Sequence, residues 1–359
     1  MERITRLLDK MKEEGLPALY VSNPKNVRYL CGFTGEDSCL LLTPDMVFFI
    51  TDSRYVEQAA EELDSRIQRI CWTRSLPDEA AELVRKQGIA EIGFEGGHLS
   101  YSDGELFRTV VPAKTRVVDG WIEELRAVKD ESEIRKIVEA VKIADQTFMH
   151  ILNFIRPGVS EKQVANEMEY FMKKIGSEKT SFETIVASGV RSSYPHGEAS
   201  DKIIELGDTV ILDFGATYQG YVSDITRTIA VGEPNPKLTE IYGWVLEAGQ
   251  AGIGAIRGGM KSKELDAIIR NPLIREQVNE YFNHGAGHSI GLDIHEAPYI
   301  SYRSDYEFRE HAVMTIEPGL YLPGIGGIRI EDDVLVGKEI SRVLTKSPKQ
   351  DFIVLPFYD

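Results

Sequence analysis

Two stretches in the second half of the 359-residue chain each wrap β-prone runs around a turn while carrying a pair of acids among apolar neighbours. In VILDFGATYQGYVSDITRTIAV the runs join across Thr217 to Gly220 and read as a hairpin. With Tyr218 and Gln219 as its loop, Asp213 faces Asp224 on one side of the ribbon, their Cβ atoms roughly 4.5–5.5 Å apart. In VMTIEPGLYLPGIGGIRIEDDVLV, a Pro- and Gly-rich turn centred on Gly324 brings Glu317 opposite Glu331. A bulge in either ribbon would shift the pairing and leave the proximity.

One acid on a strand is ordinarily a solvated residue. Four in apolar hairpins are different, because desolvation and mutual repulsion drive such a cluster either to protonate or to gather cations. Two divalent ions balance four carboxylates. An oxygen-rich donor set with one imidazole, His288, suits Mn²⁺, Co²⁺ or Zn²⁺ better than a lone Mg²⁺ or Ca²⁺. Asp213, Asp224, His288, Glu317 and Glu331 are therefore the expected ligands of two divalent metal ions per chain.

The length allows two domains with separate cores. Short β-like runs near Ala18, Cys39 and Met46 alternate with helical patterns over Tyr55 to Leu63 and Asp78 to Lys86, which predicts an α/β domain over residues 1–125. The charged stretch WIEELRAVKD marks the boundary. Residues 126–359 follow as two helices reaching about Ile175, the aspartate hairpin, a helical stretch from Lys237 to Ile269, a Gly/His-rich loop and the glutamate hairpin. Helices followed by a ligand-bearing hairpin thus occur twice, which suggests two related halves facing each other across the metals.

A formal charge of −16 with no basic run argues against nucleic-acid or anionic-membrane partners. No apolar stretch approaches a membrane span, and the N-terminus MERITRLLDKMKEEGL reads as a charged amphipathic helix and not a signal peptide, so a cytoplasmic location is expected. Cys31, Cys39 and Cys71 are scattered without metal or redox spacing and read as reduced core residues.

Four of the seven histidines, His196, His284, His288 and His295, lie beside the acids in sequence. The spacing of His284 and His288 matches a zinc-protease HExxH helix in distance only, since Gly285 replaces the glutamate and the glycines disfavour a helix. His196 and His295 read as substrate-facing proton donors, and His284 as either a supporting or a substrate residue. Two ions roughly 3.5–4 Å apart can share a bridging water and hold it as hydroxide at neutral pH, so hydrolysis is the expected reaction class.

At these residues the chain closely resembles the proline-specific metallopeptidases of the pita-bread fold, the group of aminopeptidase P and prolidase. The segments SFETIVASGVRSSYPHGEASDKII, GDTVILDFGATYQGYVSDITRTIAVG, HGAGHSIGLDIHEAP and MTIEPGLYLPGIGGIRIEDDVLV carry the resemblance, with NVRYLCGFTG and FITDSRYVEQA in the first domain. It implies a creatinase-like α/β domain followed by a pita-bread catalytic domain of α+β type with pseudo-twofold symmetry. It also implies that Asp213 chelates one metal, Asp224 and Glu331 bridge, and His288 and Glu317 bind the other. His196 and His295 would contact substrate, His284 and Arg329 line the site, and the substrate would carry proline at its second position. Such proteins are commonly homodimers, with Asp52 to Tyr55 a candidate for the contact with the partner's site, although a helix start is the plainer reading of that segment.

Two positions depart from relatives. Ser289 stands where many carry glycine, and a serine there is expected to trim space near His288. Tyr299 stands where some prolidases carry an arginine for a dipeptide's carboxylate, which points to an Xaa-Pro aminopeptidase acting on longer peptides, with Arg303 close enough to keep an Xaa-Pro dipeptidase as the alternative. Methionine aminopeptidases share the five ligands, but the first-domain motifs favour the proline-specific branch. A creatinase or a non-enzymatic binding module on this fold would tolerate losses among the five, and none is lost.

Overall fold

The structure, a computed structural model, describes residues 1–356 and divides into two compact units, Met1–Arg126 and Ala127–Asp359. In the first unit the helices are α1 (Glu2–Glu13), α2 (Pro24–Cys31), α3 (Val56–Glu62), α4 (Leu76–Lys86), α5 (Tyr101–Val110) and α6 (Trp121–Arg126). The strands are β1 (Leu19–Val21), β2 (Ser38–Leu42), β3 (Val47–Thr51), β4 (Gln68–Cys71), β5 (Glu91–Phe94) and β6 (Lys114–Val117). They form one mixed sheet in the order β4-β3-β2-β1-β5-β6. The α1 positions Ile4, Leu7 and Met11 recur at helical spacing and are buried. The segment Asp52 to Tyr55 turns into α3, with Asp52 Oδ1 accepting the Arg54 N–H at 2.7 Å. The core reading of the cysteines holds for Cys39, which is buried on β2, and fails for Cys71, which is exposed on the edge strand β4.

The second unit begins with α7 (Glu131–Ile151) and α8 (Glu161–Lys174), each started by a capping box, Asp130 with Glu133 and Ser160 with Gln163. They pack on β7 (Ile185–Ser188), β8 (Thr209–Phe214) and β11 (Ile225–Val231), with the short ribbon β9 (Thr217–Tyr218) and β10 (Tyr221–Val222) at the hairpin tip. The next pair is α9 (Pro236–Ala255) and α10 (Ser262–Arg275). These are two helices where the sequence suggested one stretch, because the chain breaks at Gly258 and Gly259, the latter at φ +82°.

The second sheet contains β12 (Gly287–Ser289), β13 (Glu296–Ile300), β14 (Val313–Ile316), β17 (Asp332–Leu335) and β18 (Arg342–Val343) in the order β13-β12-β14-β17-β18. The ribbon β15 (Gly319–Leu322) and β16 (Gly326–Arg329) extends from it, while β19 (Val354–Leu355) returns to pair with β11. Part of the expected Gly/His-rich loop is therefore strand. Each half has its own core. Phe148, Met168, Leu212 and Phe214 belong to the first, and Ile241, Val245, Ile269 and Met314 to the second. Each such side chain, fully buried, contributes about 1.5–3 kcal/mol of transfer free energy.

The two hairpins meet their expected registers differently. In the aspartate hairpin Asp213 pairs with Thr226 and Tyr218 with Tyr221, so the loop is Gln219-Gly220 and not Tyr218-Gln219. Both loop residues have positive φ, +46° and +80°, as a type I′ turn requires, and glycine supplies the second at little cost. The slip is two residues, so Asp213 and Asp224 keep a common face and become diagonal neighbours. In the glutamate hairpin Gly319 pairs with Arg329 and Ile316 with Asp332, a single register that sets Glu317 opposite Glu331.

Candidate metal centre

Three of the five acid and imidazole residues sit where one ladder ends and the next begins: Asp224 before β11, Glu317 between β14 and β15, and Glu331 between β16 and β17. At such breaks the backbone must find partners elsewhere. Asp224 donates its N–H to Asp333 Oδ2 at 3.1 Å, Glu317 to Ala286 O at 3.1 Å and Glu331 to Thr226 O at 3.1 Å. The first and last of these join the halves of the unit. His288 lies mid-strand on β12, where Gly287, at φ +154°, lets the chain pass so close to β14 that a Cβ would stand 2.1 Å from Thr315 O.

The donor atoms of Asp224, His288 and Glu331 all fall within 4.8 Å of one another, and all three residues are buried. His288 Nε2 is also 3.5 Å from Glu317 Oε1 and 3.6 Å from Asp224 Oδ2. Asp213 flanks this group, with Oδ2 accepting from Arg329 Nη2 at 2.5 Å. Asp213, Asp224, His288, Glu317 and Glu331 line one cavity of about 570 Å³ together with His196, His284, His295 and Arg329. The lining also includes Phe182, Ile185, Tyr299 and Tyr321.

Burial, reinforced by the charges of Glu331 and Asp213, holds the Asp224 carboxyl well above its ordinary value. Burial, then Glu317 and Asp213, does the same to Glu331. The Glu317 carboxyl is pushed up to about 8, again by burial first, with Arg329 opposing. The imidazoles move the other way. His288 drops to about 4 through burial and the nearby His295, His284 to about 3 through burial and Arg329, and His295 falls through desolvation and His196. All three are neutral at pH 7.

Neutral rings have one donor and one acceptor nitrogen, so their partners define the tautomers. His288 Nδ1 faces Ser289 O at 3.2 Å and must carry the proton, which leaves the Nε2 lone pair directed at the acids. His284 Nδ1 donates to Gly285 O at 2.8 Å, so its Nε2 accepts from Tyr321 Oη at 2.9 Å. Tyr321 in turn accepts from Arg329 Nη1 at 2.7 Å, and Arg329 Nε donates to Thr226 Oγ1 at 3.0 Å. Thr226 then donates to Glu331 Oε2 at 2.7 Å. His284 thus has both ring nitrogens engaged while its side chain also lines the cavity.

Divalent cations fit this donor set. Asp213 Oδ1 and Asp224 Oδ1 are buried without a hydrogen-bond partner among the described residues, a costly state for carboxylate oxygens unless cations supply the missing interaction. Asp213 Oδ2 also retains a lone pair beyond the one that Arg329 occupies.

Several supporting residues were not singled out from sequence. Thr226, Tyr321 and Asp333 each stand an even number of positions from a candidate ligand on its own hairpin, so strand alternation alone placed them on the ligand face. Arg227 had no such signal. Fully buried, it donates to Glu331 O and Ser347 O and to the Asp332 carboxylate at 2.9 Å. Ser289 behaves otherwise than expected. Its hydroxyl does not trim the cavity, because it points into the protein toward Lys129 and Val313. Tyr299 does line the cavity, whereas Arg303 is not in its lining and lies over the Tyr302 ring at 5.0 Å.

A mixed α/β chain with two acid-bearing hairpins and a buried cluster of carboxylates around one imidazole has the architecture of a metal-dependent hydrolase. Comparison with known proteins makes the class specific. Residues 135–338 match the model of metallopeptidase family M24, and residues 3–128 match that of the creatinase/prolidase N-terminal domain. The chain belongs to metallopeptidase family M24, and its second unit has the pita-bread fold.

An Xaa-Pro dipeptidase from Bacillus anthracis superposes with a TM-score of 0.96 at 47% identity, covering 99% of each chain. An Xaa-Pro dipeptidase from Pyrococcus horikoshii is 39% identical over 97% of this chain and 98% of its own. An X-Pro aminopeptidase from Thermotoga maritima superposes with a TM-score of 0.90 at 38% identity, covering 98% and 99%. No helix among the described residues is long and apolar enough to cross a membrane.

Proposed function

We propose that this metallopeptidase is a cytoplasmic Xaa-Pro dipeptidase that works with two divalent ions, Mn²⁺ foremost and Co²⁺ or Zn²⁺ as alternatives, and acts as a homodimer. The observation that carries the metal reading is the buried cluster of Asp224, His288 and Glu331, with Asp213 and Glu317 in the same cavity wall and orphaned oxygens on both aspartates. In this reading Asp213, Asp224, His288, Glu317 and Glu331 would together hold the two ions. Such ions would supply an activated water and a Lewis acid for the scissile carbonyl.

The chain's own groups do the rest. His196 and His295, on the cavity wall, stabilise the developing oxyanion and return a proton to the departing proline nitrogen. Arg329 holds Asp213 and, through Thr226, Glu331, so that both carboxylates are oriented before substrate arrives.

The expectation of an aminopeptidase rested on Tyr299 in place of an arginine. The dipeptidase names of the Bacillus anthracis and Pyrococcus horikoshii proteins, at 47% and 39% identity, weigh against it. The Thermotoga maritima protein keeps aminopeptidase activity as the second reading. A panel of Ala-Pro, Leu-Pro and Arg-Pro-Pro, assayed with Mn²⁺, Co²⁺ and Zn²⁺ in turn, separates them. Turnover of the two dipeptides with little release from the tripeptide is expected. Preferential release of arginine from Arg-Pro-Pro selects the aminopeptidase, and no turnover with any metal overturns both.

A further inference from the structure

We propose that Lys129, Ser289 and Glu296 form a positioning device that sets both imidazoles of the 288–295 loop. The proposal rests on the roles given to His288 and His295 under Proposed function. Ser289 and Glu296 are cross-strand partners at a register shift between β12 and β13, and each stands next to one of those histidines in sequence. Lys129 Nζ reaches both, donating to Ser289 Oγ at 2.9 Å and to Glu296 Oε2 at 3.3 Å. All three are buried, with Lys129 only 1% exposed.

The remaining contacts bind the loop to this charge pair. Glu296 Oε1 accepts the backbone N–H groups of Leu292 at 2.9 Å and Asp293 at 3.1 Å, so the carboxylate closes the turn that separates the two histidines. Gly291 is part of the same fit, since a Cβ there would stand 2.7 Å from Glu296 Oε1. Ser289 Oγ passes its own proton to Val313 O at 3.0 Å, which fixes the residue between β14 and Lys129.

The consequence reaches the ring. Because Ser289 O receives the His288 Nδ1 proton, a Ser289 peptide held in place keeps the Nε2 lone pair aimed at the acids, as a carbonyl behind a metal-bound histidine does elsewhere. A lysine this deeply buried needs negative charge beside it to persist as a cation, and Glu296 supplies a carboxylate.

Metal binding to the metal-free protein, followed by calorimetry with MnCl₂, tests this alongside Leu-Pro hydrolysis and thermal unfolding. Lys129→Met is expected to weaken Mn²⁺ binding and lower kcat, each by about tenfold or more, with KM changed much less. Adding Glu296→Gln to that variant removes the stranded charge. The double variant is expected to regain the lost thermal midpoint without regaining Mn²⁺ affinity or kcat. Ser289→Ala, which leaves the ion pair intact, is expected to lower Mn²⁺ affinity and kcat at an unchanged midpoint, and it serves if Lys129→Met does not fold.

Recovery of all three quantities in the double variant would reduce the trio to a source of stability and overturn the proposal, as would wild-type Mn²⁺ affinity and kcat in Ser289→Ala. Wild-type protein that binds none of Mn²⁺, Co²⁺ and Zn²⁺ overturns the metal-centre reading itself, and this device with it.

Discussion

Arg329 donates to Asp213 at 2.5 Å although the two stand 116 positions apart and belong to different halves of the catalytic unit. One guanidinium thereby ties a carboxylate of the first hairpin to the strand that leads to Glu331 in the second. Its other donors go to Thr226, Tyr321 and Pro195 O, so the planar fork is used on several sides.

Lysine cannot reproduce that fork. Arg329→Lys is expected to lower kcat for Leu-Pro by on the order of 10–100-fold, and Arg329→Met to destabilise the protein by about 3–5 kcal/mol, the usual effect of removing one partner of a buried pair. Denaturant unfolding checks the second figure, and a change below ~1 kcal/mol would show that the contact has no energetic weight.

Without metal, the acids make stability depend on pH. The Glu317 carboxyl lies at about 8 in the folded protein against an ordinary 4.5, and those of Asp224 and Glu331 are raised too. A raised acid contributes its stability fully below the unfolded value and loses it as pH climbs through the folded one. Metal-free protein should therefore weaken between pH ~4.5 and ~8, by up to about 1.4 kcal/mol per pH unit for each such group. Urea midpoints in EDTA at pH 5 and pH 8 test the sign, which equal values would contradict.

Neutralising one acid of the cluster should separate binding from stability. Asp224→Asn is expected to abolish the rise in thermal midpoint that Mn²⁺ gives the wild type, and to make the metal-free protein more stable than metal-free wild type at pH 7, by about 1 kcal/mol or more. If Asp224→Asn still gains stability from Mn²⁺ at the wild-type concentration, Asp224 is not a ligand.

The histidines outside the expected ligand set should behave differently. His196 lies on the cavity wall and outside the group of close donor atoms. His196→Ala is expected to retain its metal content by elemental analysis while kcat falls by about 10²–10⁴-fold, the range for a lost proton-transfer group. Wild-type turnover in this variant would remove His196 from the mechanism.

Gly287 tests the backbone beneath the site. Alanine there must move β12 away from Thr315, and His288 moves with it. Gly287→Ala should cost about 2 kcal/mol or more in stability and reduce Mn²⁺ affinity, whereas an unchanged affinity would mean that His288 can be displaced without loss.

Much of the site was legible because alternation along a strand is a strong constraint. The pairing of Glu317 with Glu331 follows from the glycine-rich turn alone, with Gly324 at φ +77°. The aspartate hairpin was displaced because Gln219-Gly220, not Tyr218-Gln219, meets the two-residue demand for positive φ. Lys129 and Arg227 were beyond reach for a different reason. Their partners lie 160 and 104 residues away, at Ser289 and Glu331, and nothing local marks a lysine or arginine as destined for burial. The break in the second helix pair was written in Gly258 and Gly259, whose effect a mainly helical pattern on either side conceals.

The two-residue turn at Gln219-Gly220 also limits how this hairpin can change length. Lengthening or shortening one arm by a pair of residues returns each aspartate to the side that faces the cavity. Gaining or losing a single residue instead swings one carboxylate into the apolar packing around Phe214 and Ile225 and presents an aliphatic side chain to the site. Insertions and deletions here are therefore expected to be tolerated in steps of two, so that the divisibility of a gap by two, and not its size, decides whether the centre survives.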